Sequence, residues 1–350
     1  MAEDKSPVLI ESPHRRFVPE AMILPLVIAS ALFLENMDSS VLATSLPAIA
    51  MDLGIDPIIL KLAFTSYLLS LAVFIPVSGW MAERFGSLLV FRTAIAVFTL
   101  ASLACAFSQS LFGFITARFV QGMGGAMMVP VGRFVLLRAI PKSNLVQALS
   151  YLTLPALIGP VIGPLIGGFL TTYLYWRWIF FINIPMGFVG MILATLYVPN
   201  IKSETPTPLD GMGFILSGIG LSSLVFGLTI LGREVLPPAF APLLIVSGLV
   251  FLLLYVRHAG RVPHPILKLS LLKLPTFRTS VVGGFLFRAG IGSNPFLLPL
   301  MLQIGFGLSA FQSGSSTFAS SAGALLMKFT APRILKRFCF RQILLVNGAI

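Results

Sequence analysis

The sequence predicts an all-α protein that crosses a membrane many times. Three observations carry that prediction. First, 57% of the 350 residues are apolar and only 10% are charged, whereas a soluble domain carries about 25% charged residues. So few charges cannot cover a water-facing surface. Second, the chain contains ten apolar runs, each close to the roughly 20 residues that a spanning helix needs. Third, the basic residues are placed asymmetrically. With loops alternated from an inside N-terminus, 19 of the 24 Lys and Arg residues fall inside, 3 fall outside, and 2, Arg118 and Arg288, lie within spans. Such a bias sets membrane orientation. The net charge of +12 therefore reads as topology with some attraction to anionic lipid, and nucleic acid is not an expected partner.

The expected spans are residues 22–47, 59–81, 88–108, 111–133, 145–170, 177–198, 211–231, 239–257, 279–302 and 311–331. No small-residue cleavage site follows the first run, so it reads as a span and not as a cleaved signal. An eleventh apolar run begins near Ile343 and stops at Ile350, too short to cross. The C-terminal part is therefore expected to be missing. Cys105 and Cys339 are isolated and give neither a disulfide framework nor metal spacing. No metal or cofactor is expected.

Span 1 carries Glu35 and Asp38, three residues apart and so on one helix face. Ionisable groups at membrane depth are costly and mark pathways or proton sites; the alternative is that they cap or pair near an aqueous end. After span 2, GWMAERFGSLLVFR holds Gly79 and Gly86, both free to adopt turn conformations. Between them Glu83 and Arg84 offer an acid and a base that can latch two halves at the cytoplasmic mouth. In span 4, Arg118, Gln121, Gly122 and Gly125 form one stripe. An always-charged guanidinium in lipid needs acceptors, with Gln121, Asp38 and Glu35 as candidates. Met127 and Met128 read as packing or lipid-facing residues.

Span 5 is the most distinctive: LIGPVIGPLIGGFL aligns Gly159, Gly163 and Gly167 on one face, where another helix can approach to backbone contact. Pro160 and Pro164 form a second line beside it, and Gly168 follows. Each proline removes a backbone donor, so the helix should bend or loosen there. The run reads either as a tightly packed structural helix or as a pivot between two bundles that slide and reseal. Next, WRWIFFINIPMG places Trp176 and Trp178, with Tyr173 before them, at the outer interface. Asn183 and Pro185 interrupt the sixth span. PNIKSETPTPLD is the main composition break and reads as a cytoplasmic linker. A Gly-rich span pair follows, then the basic loop HAGRVPHPILKLSLLKLPTFR on the membrane surface, whose His258 and His264 read as solvated. Span 9 carries Arg288, with Asn294 and Pro295 after it, either lining a cavity or packing and snorkelling.

Several of these phrases resemble the major facilitator superfamily. Gly159, Gly163, Pro164, Gly167 and Gly168 fit its antiporter motif Gly-x-x-x-Gly-Pro-x-x-Gly-Gly, with Gly159-Pro160 an overlapping copy. Gly79, Glu83, Arg84 and Gly86 are similar to its loop 2–3 motif, although Ser87 and Leu88 replace the usual basic pair. Arg337-Phe338 in LKRFCFRQ is a candidate degenerate second copy. Asp38, Leu46 and Pro47 match the first-span signature of the fourteen-span drug:proton antiporters, and Arg118 with Gln121-Gly122 resembles a span-4 motif linked to proton transfer. WRWIFFINIPMG and the extra span pair point the same way, to the EmrB/QacA type and its MdtD/HsrA-like branch.

The resemblance implies a major facilitator fold: a six-span N-terminal bundle (1–199), a linker with two extra spans and a surface loop (200–278), and an incomplete C-terminal bundle (279–350). It implies proton-coupled efflux of small amphipathic or cationic molecules across a bacterial inner membrane. The expected proton-coupling residues are Asp38, Glu35 and Arg118. Gln121, Asn183, Arg288 and Asn294 are the expected cavity residues. The protein is expected to be a monomer with its N-terminus in the cytoplasm. No Gly-x-x-x-x-Gly-Lys-Ser/Thr loop suggests an ATPase, and no nucleophile–base pair suggests an enzyme. A metabolite symporter or facilitator of the same fold is the alternative.

Overall fold

The computed structural model describes residues 20–205, 207–232 and 237–337, with residues 342 and 346 beyond them. The basic N-terminal tail, most of the run from Ile343 and Phe338 of the suggested motif copy lie outside the described residues. Among the described residues there are helices and turns but no strand.

Five long helices come first: α1 (Glu20–Leu53), α2 (Pro57–Phe85), α3 (Ser87–Phe107), α4 (Leu111–Ala139) and α5 (Leu145–Tyr173). Two of their starts, those of α2 and α4, are written in the sequence. The Asp56 carboxylate accepts the Ile58 amide at 2.6 Å before Pro57 opens α2, and Ser110 accepts the Gly113 amide at the head of α4. Such side chains satisfy amide donors that the first turn leaves free. Gly86, at φ +97°, lets α2 turn directly into α3. Gly79, in contrast, is an ordinary helical residue inside α2 and makes no turn, because the helix continues to Phe85.

The sixth span is broken, as Asn183 and Pro185 suggest, into α6 (Trp178–Phe181) and α7 (Asn183–Tyr197). α8 (Gly211–Ile230) and α9 (Phe240–Ala259) then pack on each other through Gly220, Gly227 and Gly248. The ninth span is also discontinuous: α10 (Pro275–Ile291), α11 (Asn294–Leu300) and a π turn at Met301–Gly305. α12 (Ala310–Arg337) closes the described chain. Nine of these stretches are long and apolar enough to cross a membrane. The tenth expected span, inside α12, is long enough but falls short in apolarity, because Gln312, Ser313, Ser315, Ser316 and Thr317 crowd its start. Several of those hydroxyls bond back to their own helix: Ser315 donates to the Phe311 carbonyl and Thr317 to that of Ser313.

α1 packs most extensively on α5, α4 lies between α2 and α3, and α7 covers α3 and α1. Two apolar clusters fill this bundle. One centres on Ile28, Phe91, Phe98 and Val131, the other on Leu42, Leu46, Phe114 and Phe180. Met128 is fully buried in the first and Met127 packs against it, so both serve packing. α12 lies along α5, and α8 touches α2.

The glycine line of α5 brings that helix to backbone contact with α1. A Cβ on Gly159 would stand 3.0 Å from the Phe33 carbonyl oxygen, one on Gly163 2.7 Å from Ser40 Cβ, and one on Gly167 2.7 Å from the Val41 carbonyl oxygen. All three neighbours belong to α1, so this face joins two helices of the same bundle. The face toward the later helices is the neighbouring one, where Gly168 abuts Ala310 and Phe311 of α12 and Gly314 abuts Pro164. Despite Pro155, Pro160 and Pro164, α5 stays one continuous helix. The reason is local: Pro164 cannot donate to the Pro160 carbonyl, and Ser40 Oγ of α1 donates to that oxygen at 3.2 Å instead.

The ends of the bundle are tied by polar clusters. At one end Arg177 pairs with Asp52 at 2.9 Å and donates to the Ser108 carbonyl at 3.2 Å. Tyr175 donates to Asp52 at 2.6 Å, and that carboxylate pushes the phenol pKa up. Trp176 is buried against Phe114 and Phe180 under Arg177. It is therefore a core residue and not an interface ring like the exposed Trp178 and Tyr173. At the other end Asp210 caps α8 through the Gly213 amide at 2.8 Å and accepts from His258 Nε2 at 2.7 Å. Burial pushes the Asp210 carboxyl up. The His258 bond and the Gly213 and Ile266 amides outweigh that, so it lies below the usual carboxylate range. His258 thus joins α9 to the head of α8 and is not simply solvated, whereas His264 is exposed.

Candidate functional site

The charged residues expected within spans 1 and 4 meet in the middle of the bundle. Asp38 of α1 and Arg118 of α4 form an ion pair at 2.6 Å, with side chains 2% and 0% exposed. The two residues lie 80 positions apart in the chain, and the α1–α4 contact brings them together. Leaving either charge alone at this depth would be costly, because the low-dielectric interior strengthens attraction and desolvation penalty alike.

The pair sits in a hydrogen-bonded network. Arg118 Nη1 donates to Asp38 Oδ2 and, at 2.7 Å, to Gln121 Oε1. Gln121 Nε2 donates to Asp38 Oδ1 at 3.0 Å, and Asn183 Nδ2 donates to the same oxygen at 2.6 Å. Asn183 Nδ2 also donates to Ser102 Oγ at 2.9 Å, and Ser102 donates to the Phe180 carbonyl. Asp38 therefore accepts from three donors on two other helices, and both its oxygens are engaged. The break between α6 and α7 places Asn183 at the head of the second segment, where its amide reaches inward.

Around this network several buried polar atoms have no partner: Arg118 Nε and Nη2, Tyr67 Oη, Asn183 Oδ1 and Glu35 Oε2. The guanidinium lies over the Tyr67 ring, 4.5 Å from its centroid, a favourable cation–π placement. The span-4 stripe holds these parts close. A Cβ on Gly122 would stand 2.6 Å from the Tyr67 carbonyl oxygen, and one on Gly125 2.9 Å from Tyr67 Oη and 3.6 Å from Glu35 Cγ. Glu35 lies one turn of α1 from Asp38, on the Tyr67 and Gly125 side, outside the hydrogen-bonded cluster.

The other expected site residues sit elsewhere. Gln121 and Asn183 are fully buried and act on Asp38; neither is shown as a cavity wall. Arg288 in α10 and Asn294 at the head of α11 are exposed and do not join the cluster. Glu83 pairs with Arg138 of α4 at 3.7 Å, within its own bundle, so this contact does not latch two halves together. Arg84 is exposed. Links between the first bundle and the later helices arise instead from residues that the sequence did not single out. Gln303 donates to the Thr44 carbonyl at 2.8 Å, and the Phe311 amide donates to Thr172 Oγ1 at 3.0 Å. Tyr67 was also missed, since a tyrosine in an apolar span carries no motif. An apolar cavity of about 270 Å³ opens between α1 and α7, lined by Ser30, Phe33, Pro185, Met186, Val189 and Gly190. No ionisable side chain lines it, so it is distinct from the charged cluster.

Comparison with known proteins bears on the family and the fold. The profile of the Major Facilitator Superfamily matches residues 28–350. A protein named "Putative multidrug resistance protein MdtD" from Citrobacter koseri is 37% identical over 321 residues, covering 92% of this chain and 68% of the relative. A protein of the same name from Escherichia coli O6:H1 is 39% identical over 322 residues, with the same coverage. Among solved structures, a D-xylose-proton symporter superposes with a TM-score of 0.63 at 12% identity, covering 91% of this chain and 70% of that one. A POT family transporter in complex with 5-aminolevulinic acid gives 0.64 at 16%, with the same coverage. At such identities these two structures speak for the fold alone. Profile, relatives and architecture converge: the chain belongs to the major facilitator superfamily.

Proposed function

We propose that the protein exports small amphipathic or cationic molecules across the bacterial inner membrane in exchange for protons. The observation that carries this reading is the buried Asp38–Arg118 pair at 2.6 Å with a second acid, Glu35, one turn away. A carboxylate beside a permanent cation is a switch. Its protonation changes the balance of charge at the bundle centre, and a cationic solute competes with the proton for the same negative charge. Exchange follows from that competition. The multidrug-resistance names of the relatives support the class of solute.

In this reading the N-terminus is cytoplasmic and the protein works as a monomer in lipid. Residues 1–199 form the bundle that holds the charges, 200–278 a linker with two added spans, and 279–350 the start of the second bundle. Gly168 and Gly314, at the α5–α12 contact, form the surface on which the bundles slide. Arg288 and Asn294 would line the far side of the pathway.

The test is accumulation of ethidium in a pump-deficient bacterium expressing the full-length gene product. The expected result is lower accumulation than in the vector control, abolished by a protonophore. Unchanged or raised accumulation across a panel of cations, together with proton-driven uptake of a metabolite, would favour the symporter reading instead.

A further inference from the structure

The linker between α7 and α8 is not slack. It carries Pro199, Pro206 and Pro208, which disfavour a helix and leave its backbone to find partners elsewhere. It finds them on the α2–α3 turn. The Ser87 amide donates to the Ile201 carbonyl at 2.9 Å, and the Ser203 amide donates to the Glu83 carbonyl at 3.0 Å. These bonds satisfy a free amide at the head of α3 and a free carbonyl in the last turn of α2. Ser87, fully buried, is the centre of the contact: its Oγ donates to the Pro199 carbonyl at 2.9 Å and accepts the Ile201 amide at 2.8 Å. Further along, Trp80 Nε1 of α2 donates to the Thr207 carbonyl at 2.9 Å. Gly86 leaves room for the Asn200 side chain, which a Cβ there would strike. The linker ends at Asp210, which caps α8 and accepts from His258 and from the Ile266 amide beyond α9. Along the spans the same helix pair leans on the same bundle. Phe214 of α8 meets Phe74 of α2 with ring centroids 5.8 Å apart, and Leu62 of α2 clusters with Ile230 of α8 and Ala241 of α9.

We propose that residues 199–210 are a strap that stays closed through the transport cycle and fixes the α8–α9 pair to the first bundle, so that the pair moves with that bundle as one body. The inference uses the two-bundle architecture and does not depend on the direction of transport or on protons. The linker is held at Pro199, Ile201, Ser203 and Thr207, a spacing too close for a loose tether. Most of these bonds converge on Ser87 and Glu83, on either side of Gly86, where the linker takes the place of a further turn of helix. Ser87 and Trp80 are positioning residues that act through the linker. Motion of the second bundle against the first must then be absorbed after α9, in the loop that leads from Gly260 to Leu274.

Lys202 gives the test a handle. Its side chain is exposed, but the peptide bond after it lies between the tethered Ile201 and Ser203 amides, so trypsin can cut there only when the strap opens. The purified full-length gene product is digested in detergent, and cleavage at Lys202 is followed by mass spectrometry. A net hydrogen bond is worth about fivefold in an equilibrium, and cleavage tracks the open population when reclosing is fast. Trp80→Phe loses one bond and should be cut about fivefold faster than wild type. Ser87→Ala loses two and should be cut at least about tenfold faster. Both should keep the wild-type thermal unfolding midpoint, and Trp80→Phe covers the case in which Ser87→Ala fails to fold. Equal cleavage rates in wild type and a folded Trp80→Phe overturn the strap. The second arm ties the strap covalently: Trp80→Cys with Thr207→Cys, joined by a short bismaleimide in a background without other exposed cysteines. Ethidium extrusion is expected to survive the cross-link. Extrusion by the uncross-linked pair that stops on cross-linking shows that the strap must open, and overturns the proposal. A wild type that extrudes no ethidium sinks the export reading, while cleavage at Lys202 still decides the strap.

Discussion

Arg118→Met is expected to unfold the first bundle far more readily than any substitution on its lipid face. The change leaves the buried Asp38 carboxyl with only Gln121 and Asn183 as donors. Breaking a buried pair by removing one partner costs about 3–5 kcal/mol, a large part of the stability of a typical fold. Asp38→Asn should cost a similar amount, because its new amide nitrogen would face a donor in either orientation, Arg118 or the Gln121 and Asn183 amides, and the guanidinium would lose its counter-charge. The double variant Asp38→Asn with Arg118→Met removes both charges and should recover much of the loss, while transport stays absent. Thermal unfolding of the detergent-solubilised protein, run as a double-mutant cycle, measures this directly. Two single losses that simply add would mean that the residues do not act as a pair.

Gly163→Leu is the second large effect. Even the first carbon of the new side chain would stand 2.7 Å from Ser40 Cβ and 2.8 Å from its Oγ. α5 would have to move off α1 and break the Ser40 bond to the Pro160 carbonyl. Forcing bulk into a packed contact costs about 1–3 kcal/mol or more, and the carbonyl freed by Pro164 would lose its donor. The expected outcome is loss of the monodisperse peak in size-exclusion chromatography. Gly190→Ala, whose added carbon would meet only Ile95 Cδ1 at 3.9 Å, serves as the tolerated control. A monodisperse Gly163→Leu with a wild-type unfolding midpoint would contradict the packing account.

Much of the fold is legible in the residues because hydropathy and span length are local properties. The Pro185 break, the linker at Pro199–Asp210 and the turn at Gly86 all announce themselves within a few residues. The Asp38–Arg118 meeting was also foreseeable, since a buried acid and base in lipid have few other ways to be satisfied. What could not be read were the choices that depend on which helix lies behind which. Gly159, Gly163 and Gly167 mark a close approach in any sequence, but only the fold says that the neighbour is α1 rather than the second bundle. Trp176 reads as an interface ring until Phe114 and Phe180 are seen to surround it. Asp210 is an unremarkable cap until His258 arrives from 48 residues away. Tyr67 is an aromatic residue among apolar ones until its hydroxyl is found beside Glu35.

The central claim is that charges held in the first bundle couple a proton gradient to outward solute movement. Inverted membrane vesicles carrying the full-length gene product test it most directly, with an inside-acid gradient imposed and followed by a quenched dye. Adding tetraphenylphosphonium should dissipate the gradient in wild-type vesicles and leave it untouched in vesicles of the Asp38→Asn, Arg118→Met double variant with equal protein inserted. A gradient equally dissipated by both, or by neither while solute still crosses, would contradict the account.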